Sequence, residues 1–363
     1  GAVLKANAYG HGALLAGRVL ASARVDALFV SEVETAVQLR AAPEVPPSMS
    51  IVLLYRAPDR GIACALAAAN ITASVLSAGW IEEALRWAPC ARPLRLHLMV
   101  DSGLAREGVA PGEAAESTQR ILEAWPRWSL DGLYTHWCCP YDPAAMHQSR
   151  ALFDGAVAAV AGLRRAWLGA GSTGPFTVHA ASSSTVLHGG VDYDLLRVGG
   201  LLFGDPVALV DEAGNRFPMP GPHRTLLWKS RITALHRLRP GSRFARCSER
   251  SGCLAGPLQR QEVLVGVIPV GAAEFTQSAI FSGPFRENLP LIEKAADVLT
   301  VEIPRTSRTY KEAAIGMEVL LCEESCTQGL FNVPGHVPRI LMHDPSISTP
   351  QHCLPQTSLA LAS

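Results

Sequence analysis

Two periods of hydrophobic and polar positions alternate along the first part of the chain. Short apolar runs with strand character occupy Ala2–Lys5, Ala27–Ser31, Ser50–Leu54, Ile71–Val75, Leu94–Val100, Leu130–His136, Phe176–Ala180 and Leu195–Phe203. Between them lie segments whose apolar residues recur with helical spacing: Ala13–Ala23, Glu32–Arg40, Ala78–Trp87, Glu113–Trp125 and Ser149–Trp167. Strand alternating with helix predicts parallel βαβ units. Eight such strands predict an α/β fold, a (β/α)8 TIM-type barrel over residues 1–208. The rival is a doubly wound sheet. It needs fewer strands and a glycine-rich phosphate loop after the first, and Gly10 and Gly12 do not complete that fingerprint.

From about Asp205 the pattern changes. Asp211–Pro222, rich in Gly and Pro, reads as a linker. Beyond it come β-like runs at Leu226–Leu235, Gln261–Val270, Val298–Ile303, Glu318–Cys322 and Arg339–Met342. They predict a C-terminal, mostly-β domain over residues 223–346, and residues 347–363 read as a loose tail.

Composition narrows the class. The chain has 363 residues, more than one typical domain, and is 48% hydrophobic and 18% charged, which supports a large core rather than disorder. Lys+Arg and Asp+Glu both number 32, so no basic surplus points to nucleic acid. Charged residues and prolines interrupt every apolar stretch before it reaches membrane-spanning length. No signal peptide is visible, and because the chain starts directly in strand-like sequence, we expect a preceding segment to be missing. The nine cysteines show no Cys-x-x-Cys spacing, and only Cys138 and Cys139 are adjacent. That scatter predicts no zinc site and a reducing, cytoplasmic setting.

In a barrel of this kind the chemistry sits at the C-terminal ends of the strands. The special residues of the chain fall there. Lys5 ends the first strand; Asp101, Ser102, Gly103 and Arg106 follow the fifth; His136 ends the sixth; Ser182, Ser183 and Ser184 follow the seventh; Arg197, with Gly199 and Gly200 after it, belongs to the eighth. A lysine at the end of a rigid strand is where an enzyme keeps an amine for a Schiff base, which suggests pyridoxal 5′-phosphate (PLP). In that reading Ser183 and the amides around Gly199 and Gly200 cradle a phosphate. Arg197 faces the pyridine nitrogen without giving up a proton, which favours simple proton movement. His136 orients Arg197 or stacks on the ring, and Arg106 meets the phenolic oxygen or the substrate carboxylate.

Five segments resemble the alanine racemase family of fold-type III PLP enzymes. Lys5-Ala6-Asn7-Ala8-Tyr9-Gly10-His11-Gly12 is similar to the family's PLP-lysine motif. Asp101-Ser102-Gly103-Leu104-Ala105-Arg106-Glu107-Gly108, Thr135-His136-Trp137, His179-Ala180-Ala181-Ser182-Ser183-Ser184 and Arg197-Val198-Gly199-Gly200-Leu201-Leu202-Phe203-Gly204 resemble later family segments in the same order. The likeness is close over the barrel half and continues, weaker, to about His336-Val337-Pro338-Arg339. It implies a PLP-dependent racemase interconverting L- and D-alanine or a related small amino acid through Lys5. It also implies cofactor contacts from Tyr9, a head-to-tail homodimer whose partner completes each site, and a segment before the lysine strand that this chain lacks.

Departures from the family pattern define the alternatives. The family's second catalytic base, a tyrosine, aligns with Ala272 in Gly271-Ala272-Ala273-Glu274-Phe275. Its Met-Asp pair near the substrate carboxylate aligns with Ala296-Asp297, which makes Ala296 the substrate-side position. A late phosphate-binding tyrosine aligns with Thr327, and a barrel lysine carbamylated in many members is Met99, so Arg106 is set differently here. Racemisation by two bases needs a proton donor on each face of the α-carbon, and a positioned acid–base is worth about 10²–10⁴-fold. The alternatives are therefore a fold-type III enzyme doing one-base chemistry or a non-catalytic PLP-binding homologue. Tyr310, Glu274 and the Cys138-Cys139 pair are the residues in view as a replacement base.

Overall fold

A computed structural model describes residues 1–54, 58–139, 142–168, 176–186, 193–204, 208–210, 216–218, 228–240, 243–248, 252–257, 262–271 and 280–322. The barrel strands are β1 (Ala2–Val3), β2 (Ala27–Val30), β3 (Ser50–Leu53), β4 (Thr72–Val75), β5 (Leu94–Met99), β6 (Trp128–Tyr134), β7 (Thr177–Ser182) and β8 (Leu195–Arg197). They form one eight-stranded sheet in sequence order, every pair parallel. A parallel bridge between Ala2 and Val198 closes it, with the Val3 N–H donating to Val198 O at 2.8 Å.

Side-chain parity along the strands explains the closure. Leu28 and Val30, Ile51 and Leu53, and Leu94, Leu96 and Leu98 face outward into the larger buried cluster. That cluster takes in α2 (Ala13–Ser22), α3 (Val33–Ala41), α4 (Arg60–Ala68), α5 (Ala78–Leu85) and α6 (Ala114–Glu123), and α7 (Pro143–Leu168) adds Phe153 and Val160 to it. The alternate residues Val3, Phe29, Val52, Leu54, Met99 and Tyr134 form a second cluster inside the barrel. Strands apolar on both parities are what a sheet buried on both faces demands. Helix starts are set locally: Asp59 accepts the Ile62 N–H at 2.9 Å to cap α4, and Ser77 accepts the Trp80 N–H at 3.3 Å to cap α5.

Three expectations are corrected. The eighth apolar run does not stay extended to Phe203. After Arg197 the chain turns into a 3-10 helix, Gly200–Phe203, ending at Gly204 with φ of +82°. The turn follows the curve of the rim instead of continuing the sheet. The stretch read as a linker contains strand Arg216–Pro218 (β10), which pairs antiparallel with Ala208–Val210 (β9). And the cysteines are not all unpaired: Cys64 on α4 is disulfide-bonded to Cys90 in the segment leading into β5. A separation of 26 residues gives no hint of that meeting, and the argument from scattered cysteines to a reducing setting loses its basis.

The second half is mostly β, as the turn-punctuated apolar runs predict. β11 (Trp228–Arg231), β12 (Ala234–Leu238), β13 (Arg243–Ser248), β14 (Gly252–Pro257), β15 (Val263–Ile268), β16 (Phe281–Ser282), β17 (Leu291–Lys294), β18 (Leu299–Ile303) and β19 (Glu318–Cys322) follow in order. They make a four-stranded sheet β12-β15-β18-β17, a three-stranded sheet β11-β19-β16 and the hairpin β13-β14. Ile232, Leu264, Ile268, Leu299, Val301, Val319 and Leu321 are in its core. Between β18 and β19 a short helix, Arg308–Glu312, starts at Ser307, whose Oγ accepts the Tyr310 N–H. The run Arg339–Met342 and the tail lie outside the described residues. Among the described residues no helix is long and apolar enough to cross a membrane.

Candidate active site

Lys5 sits where β1 ends, and the backbone there is unusual. Ala6, Asn7, Ala8 and Tyr9 all have φ near +50°, so Lys5–Tyr9 (α1) is a single left-handed turn. Each such L-residue costs about 1–2 kcal/mol relative to the right-handed form. The turn is tied at both ends to offset that cost. Ala8 N–H donates to Leu4 O at 2.8 Å, Gly12 N–H to Asn7 O at 2.9 Å, and the Asn7 side chain accepts the Ala13 N–H at 2.7 Å. Buried His11 adds a 3.0 Å bond from its Nδ1 to Ala8 O and stacks against Phe203 with ring centroids 4.5 Å apart. The small residues of Ala-Asn-Ala permit the reversal, and Lys5 is turned toward the barrel mouth.

There a cavity of about 240 Å³ is lined by Val3, Lys5, Tyr9, Leu54, His136, Ser182, Ser183, Ser184, Arg197, Gly199 and Gly200. The structure thus brings Lys5, Tyr9, His136, Ser183, Arg197, Gly199 and Gly200 to one place. The Lys5 ammonium lies 5.8 Å from the Tyr9 ring centroid. Gly199 donates its N–H to Ser183 Oγ at 3.0 Å, and a Cβ at 199 would stand 2.0 Å from Tyr9 Oη. Glycine at 199 is therefore what allows the Tyr9 hydroxyl to lie over the backbone.

Arg197 is 5% exposed and held from several sides. Its Nη2 donates to Thr135 O at 2.7 Å and Ala180 O at 2.9 Å, and its Nη1 donates to His179 Nδ1 at 2.7 Å. Guanidinium has only donors, so His179 Nδ1 is the bare nitrogen and Nε2 carries the proton. That proton points to His97 Nδ1 at 3.0 Å. His179 also stacks on Tyr134, with centroids 4.9 Å apart and planes 7° from parallel, and Tyr134 Oη donates to Ser74 Oγ at 2.9 Å. His97 reaches this position because residue 132 is glycine: a Cβ there would lie 2.6 Å from its ring. Burial, with the fixed charges of Arg95 and Arg197, pushes His97 down to about 3. Burial and then Arg197 hold His179 well below the usual histidine range. His136 is also pushed down to about 3, by burial first and then by the Arg197, Arg106 and Lys5 charges around it.

Arg106 lies on an exposed loop beside the mouth, not in the cavity lining. Asp101 Oδ1 accepts the N–H groups of Gly103, Leu104 and Ala105 at 3.0, 2.8 and 3.1 Å, which winds the loop. A buried hydroxyl cluster, Ser102 Oγ with Thr135 Oγ1 at 2.7 Å and with Ser149 Oγ at 2.9 Å, pins it to β6 and α7. Arg106 Nε pairs with Glu107 at 2.7 Å.

The comparisons with known proteins fall on the same residues. The family profile described as "Alanine racemase, N-terminal domain" matches residues 1–206, more than half of the chain.

The chain belongs to the alanine racemase family.

An alanine racemase of Streptococcus uberis is 29% identical over 331 residues, covering 88% of this chain and 80% of its own length. One from Geobacillus stearothermophilus is 27% identical over 279 residues, 75% of this chain and 65% of its own. Among solved structures, the alanine racemase of D-cycloserine-producing Streptomyces lavendulae superposes with a TM-score of 0.71 at 20% identity, covering 95% of this chain and 91% of that one. The Enterococcus faecalis enzyme gives 0.69 at 20%, covering 92% and 86%. At such identities the superpositions establish the fold: the barrel and the following sheets.

Set beside the alanine racemase pattern, Met99 is 1% exposed and packed inside the barrel among apolar neighbours. Ala296 is placed in the second half, where its carbonyl abuts Gly271, and is not among the cavity residues. Ala272, Glu274 and Thr327 lie outside the described residues. Tyr310 hydrogen-bonds Glu262 at 2.6 Å in the β domain. The sequence pattern singled out neither His97 nor His179 as working groups. The usable signal was parity, since each is a polar residue on the inward-facing side of an otherwise apolar strand.

Proposed function

We propose that this protein is a PLP-dependent alanine racemase acting on alanine or a similarly small amino acid. The observation that carries the reading is the meeting of Lys5, Tyr9, His136, Ser183, Arg197 and Gly199 around one cavity in a chain of this family. The residues fit the cofactor. An amine is available for covalent attachment at Lys5. Tyr9, Ser182, Ser183 and Ser184 line the same space, and the absence of a Cβ at 199 lets the Tyr9 hydroxyl lie over the backbone beside Ser183. The Lys5, Arg106 and Arg197 charges, which together depress His136, suit a dianionic phosphate and a substrate carboxylate.

When bound, PLP supplies the electron withdrawal that makes the hydrogen on the substrate α-carbon acidic. The chain's own residues do the rest. Lys5 would hold the cofactor, and its amine would carry the proton at the α-carbon on its side. Ser183, Tyr9 and the Gly199–Gly200 backbone would hold the phosphate end. Arg197 cannot lose its proton, so it would donate a hydrogen bond to the ring nitrogen without protonating it. The His179–His97 pair holds the guanidinium in position. Neutral His136 offers a flat, uncharged face beside Arg197. Arg106, on the exposed loop at the rim, would take the substrate carboxylate. A homodimer in the cytoplasm, with the partner's second domain closing each mouth, completes the proposal; Ala296 would reach substrate only in that assembly.

The experiment uses purified protein reconstituted with PLP. An absorption band that borohydride abolishes, and that Lys5→Ala lacks, is expected; its absence ends the cofactor reading. With L-alanine in deuterated water, deuterated D-alanine is expected. Deuterium confined to recovered L-alanine would replace the proposal by one-base exchange, the chemistry that Ala272 brings to mind.

A further inference from the structure

His11 belongs to the lysine motif but is not among the residues that line the cavity. It is 3% exposed, a polar ring enclosed by the fold, and it faces two ways. One set of contacts goes to the lysine turn. The ring Nδ1 lies 3.0 Å from Ala8 O and 3.2 Å from Tyr9 O. Both partners are carbonyls, which only accept, so Nδ1 carries a proton and donates to the pair. The His11 backbone N–H also donates to Ala8 O, at 3.0 Å. The last carbonyls of a helical turn find no N–H within the turn itself. Here one residue supplies donors to Ala8 O and Tyr9 O together.

The other set goes to the phosphate side of the cavity. The His11 ring lies against Phe203, with centroids 4.5 Å apart and planes 30° from parallel, and the Tyr9 ring meets the same phenyl at 5.6 Å. Phe203 is the last residue of the 3-10 helix that starts at Gly200, and the Leu202 N–H ties that helix to Gly199 O at 2.9 Å. His11 therefore grips the turn that carries Lys5 and leans on the segment that carries Gly199 and Gly200. Ala6, Asn7, Ala8 and Tyr9 stand at positive φ, which L-residues keep only when surrounding bonds hold them there. Lys5 begins that turn, so the direction of its side chain depends on the turn keeping its hand.

We propose that His11 is the positioning residue for the Lys5 amine: by closing the left-handed turn and bracing it on Phe203, it fixes the amine relative to the Gly199–Gly200 cradle. It acts through its neighbours and forms no part of the cavity wall. The proposal rests on the reading of Lys5 as the cofactor anchor, and its test separates the two.

The measurement is the rate at which the full chain, freed of cofactor and then mixed with PLP, acquires the absorption band that borohydride abolishes, set beside Tm. Two substitutions divide what the ring does. His11→Asn places an amide nitrogen where histidine has Nδ1, so it keeps the donor and loses the stack. His11→Phe keeps a ring for Phe203 and loses the donor. A buried hydrogen bond shifts an equilibrium about tenfold, so the share of chains with Lys5 in place should fall by that factor without the donor. The band should accordingly grow about 10-fold more slowly in His11→Phe. In His11→Asn it should keep the wild-type rate even where Tm falls. Should His11→Phe not fold, His11→Gln takes its place: its amide nitrogen stands one bond further out, at the position of Nε2, and the band should be slow there too. A His11→Phe or His11→Gln as fast as wild type, or rates that follow Tm rather than the donor, would overturn the positioning role and leave Lys5 as the anchor. No band in the wild type would end both readings.

Discussion

The bonds from Arg197 to Thr135 O, Ala180 O, His179 Nδ1 and, at 3.5 Å, His136 Nδ1 end on neutral acceptors. A full positive charge thus lies inside the barrel mouth, and its field reaches His97, His136 and His179. All three are depressed below the unfolded value of about 6.5, so between pH 6.5 and about 3 the unfolded chain binds more protons than the folded one. Stability contributed by keeping them neutral is complete above about pH 6.5 and is lost as pH falls, by about 1.4 kcal/mol per unit for each histidine that titrates only on unfolding. Urea midpoints measured from pH 7.5 to 5 should fall steeply on the acid side, and His97→Gln should flatten the slope. An unchanged slope would mean that His97 is protonated in the folded protein. Lys5, Ser183 and Arg197 were legible in the chain because each stands at the end of an apolar run. His97 was not, because its role depends on Gly132 of the next strand leaving room for its ring.

At the scale of elements, the strand–helix alternation was readable because a parallel sheet buried on both faces forces apolar runs on both parities. The left-handed turn after β1 was not readable. Ala, Asn and Tyr are ordinary right-handed residues, and only the tertiary bonds around Lys5–Tyr9 select the other hand. That origin can be tested at Ala6, whose side chain is exposed and packs little. In an ordinary helix Gly at such a site is worse than Ala by about 1 kcal/mol. Here Ala6→Gly should be neutral or stabilising, while Ala6→Val, β-branched at φ of +49°, should cost about 1–2 kcal/mol. Chemical denaturation of both variants decides it, and the ordinary helical ranking would refute the left-handed assignment. The eighth run ended as a strand at Arg197 for a related reason: composition cannot distinguish a strand from a rim-following 3-10 turn over Gly-Leu-Leu-Phe.

At the scale of the whole molecule, the Cys64–Cys90 disulfide clamps the layer around the barrel at the end of β5 opposite the cavity. Closing a loop of 26 residues restricts the unfolded chain by about 3 kcal/mol. Cys64→Ser with Cys90→Ser should lower Tm while leaving the cofactor band in place, and reductant should lower Tm in the wild type alone. A Tm indifferent to reductant would show that the pair is not bonded in solution. The barrel's closure has a consequence in time. β1 is two residues long, and it pairs with β2 on one side while bridging to Val198 on the other. A contact spanning that much chain is entropically late, since a large loop must close before it is rewarded. The segment that carries Lys5 leaves the ribosome long before the eighth strand does, and must wait for it. The amine on which the chemistry turns is thus synthesised well ahead of its eighth-strand neighbours and yet is among the last to find its place.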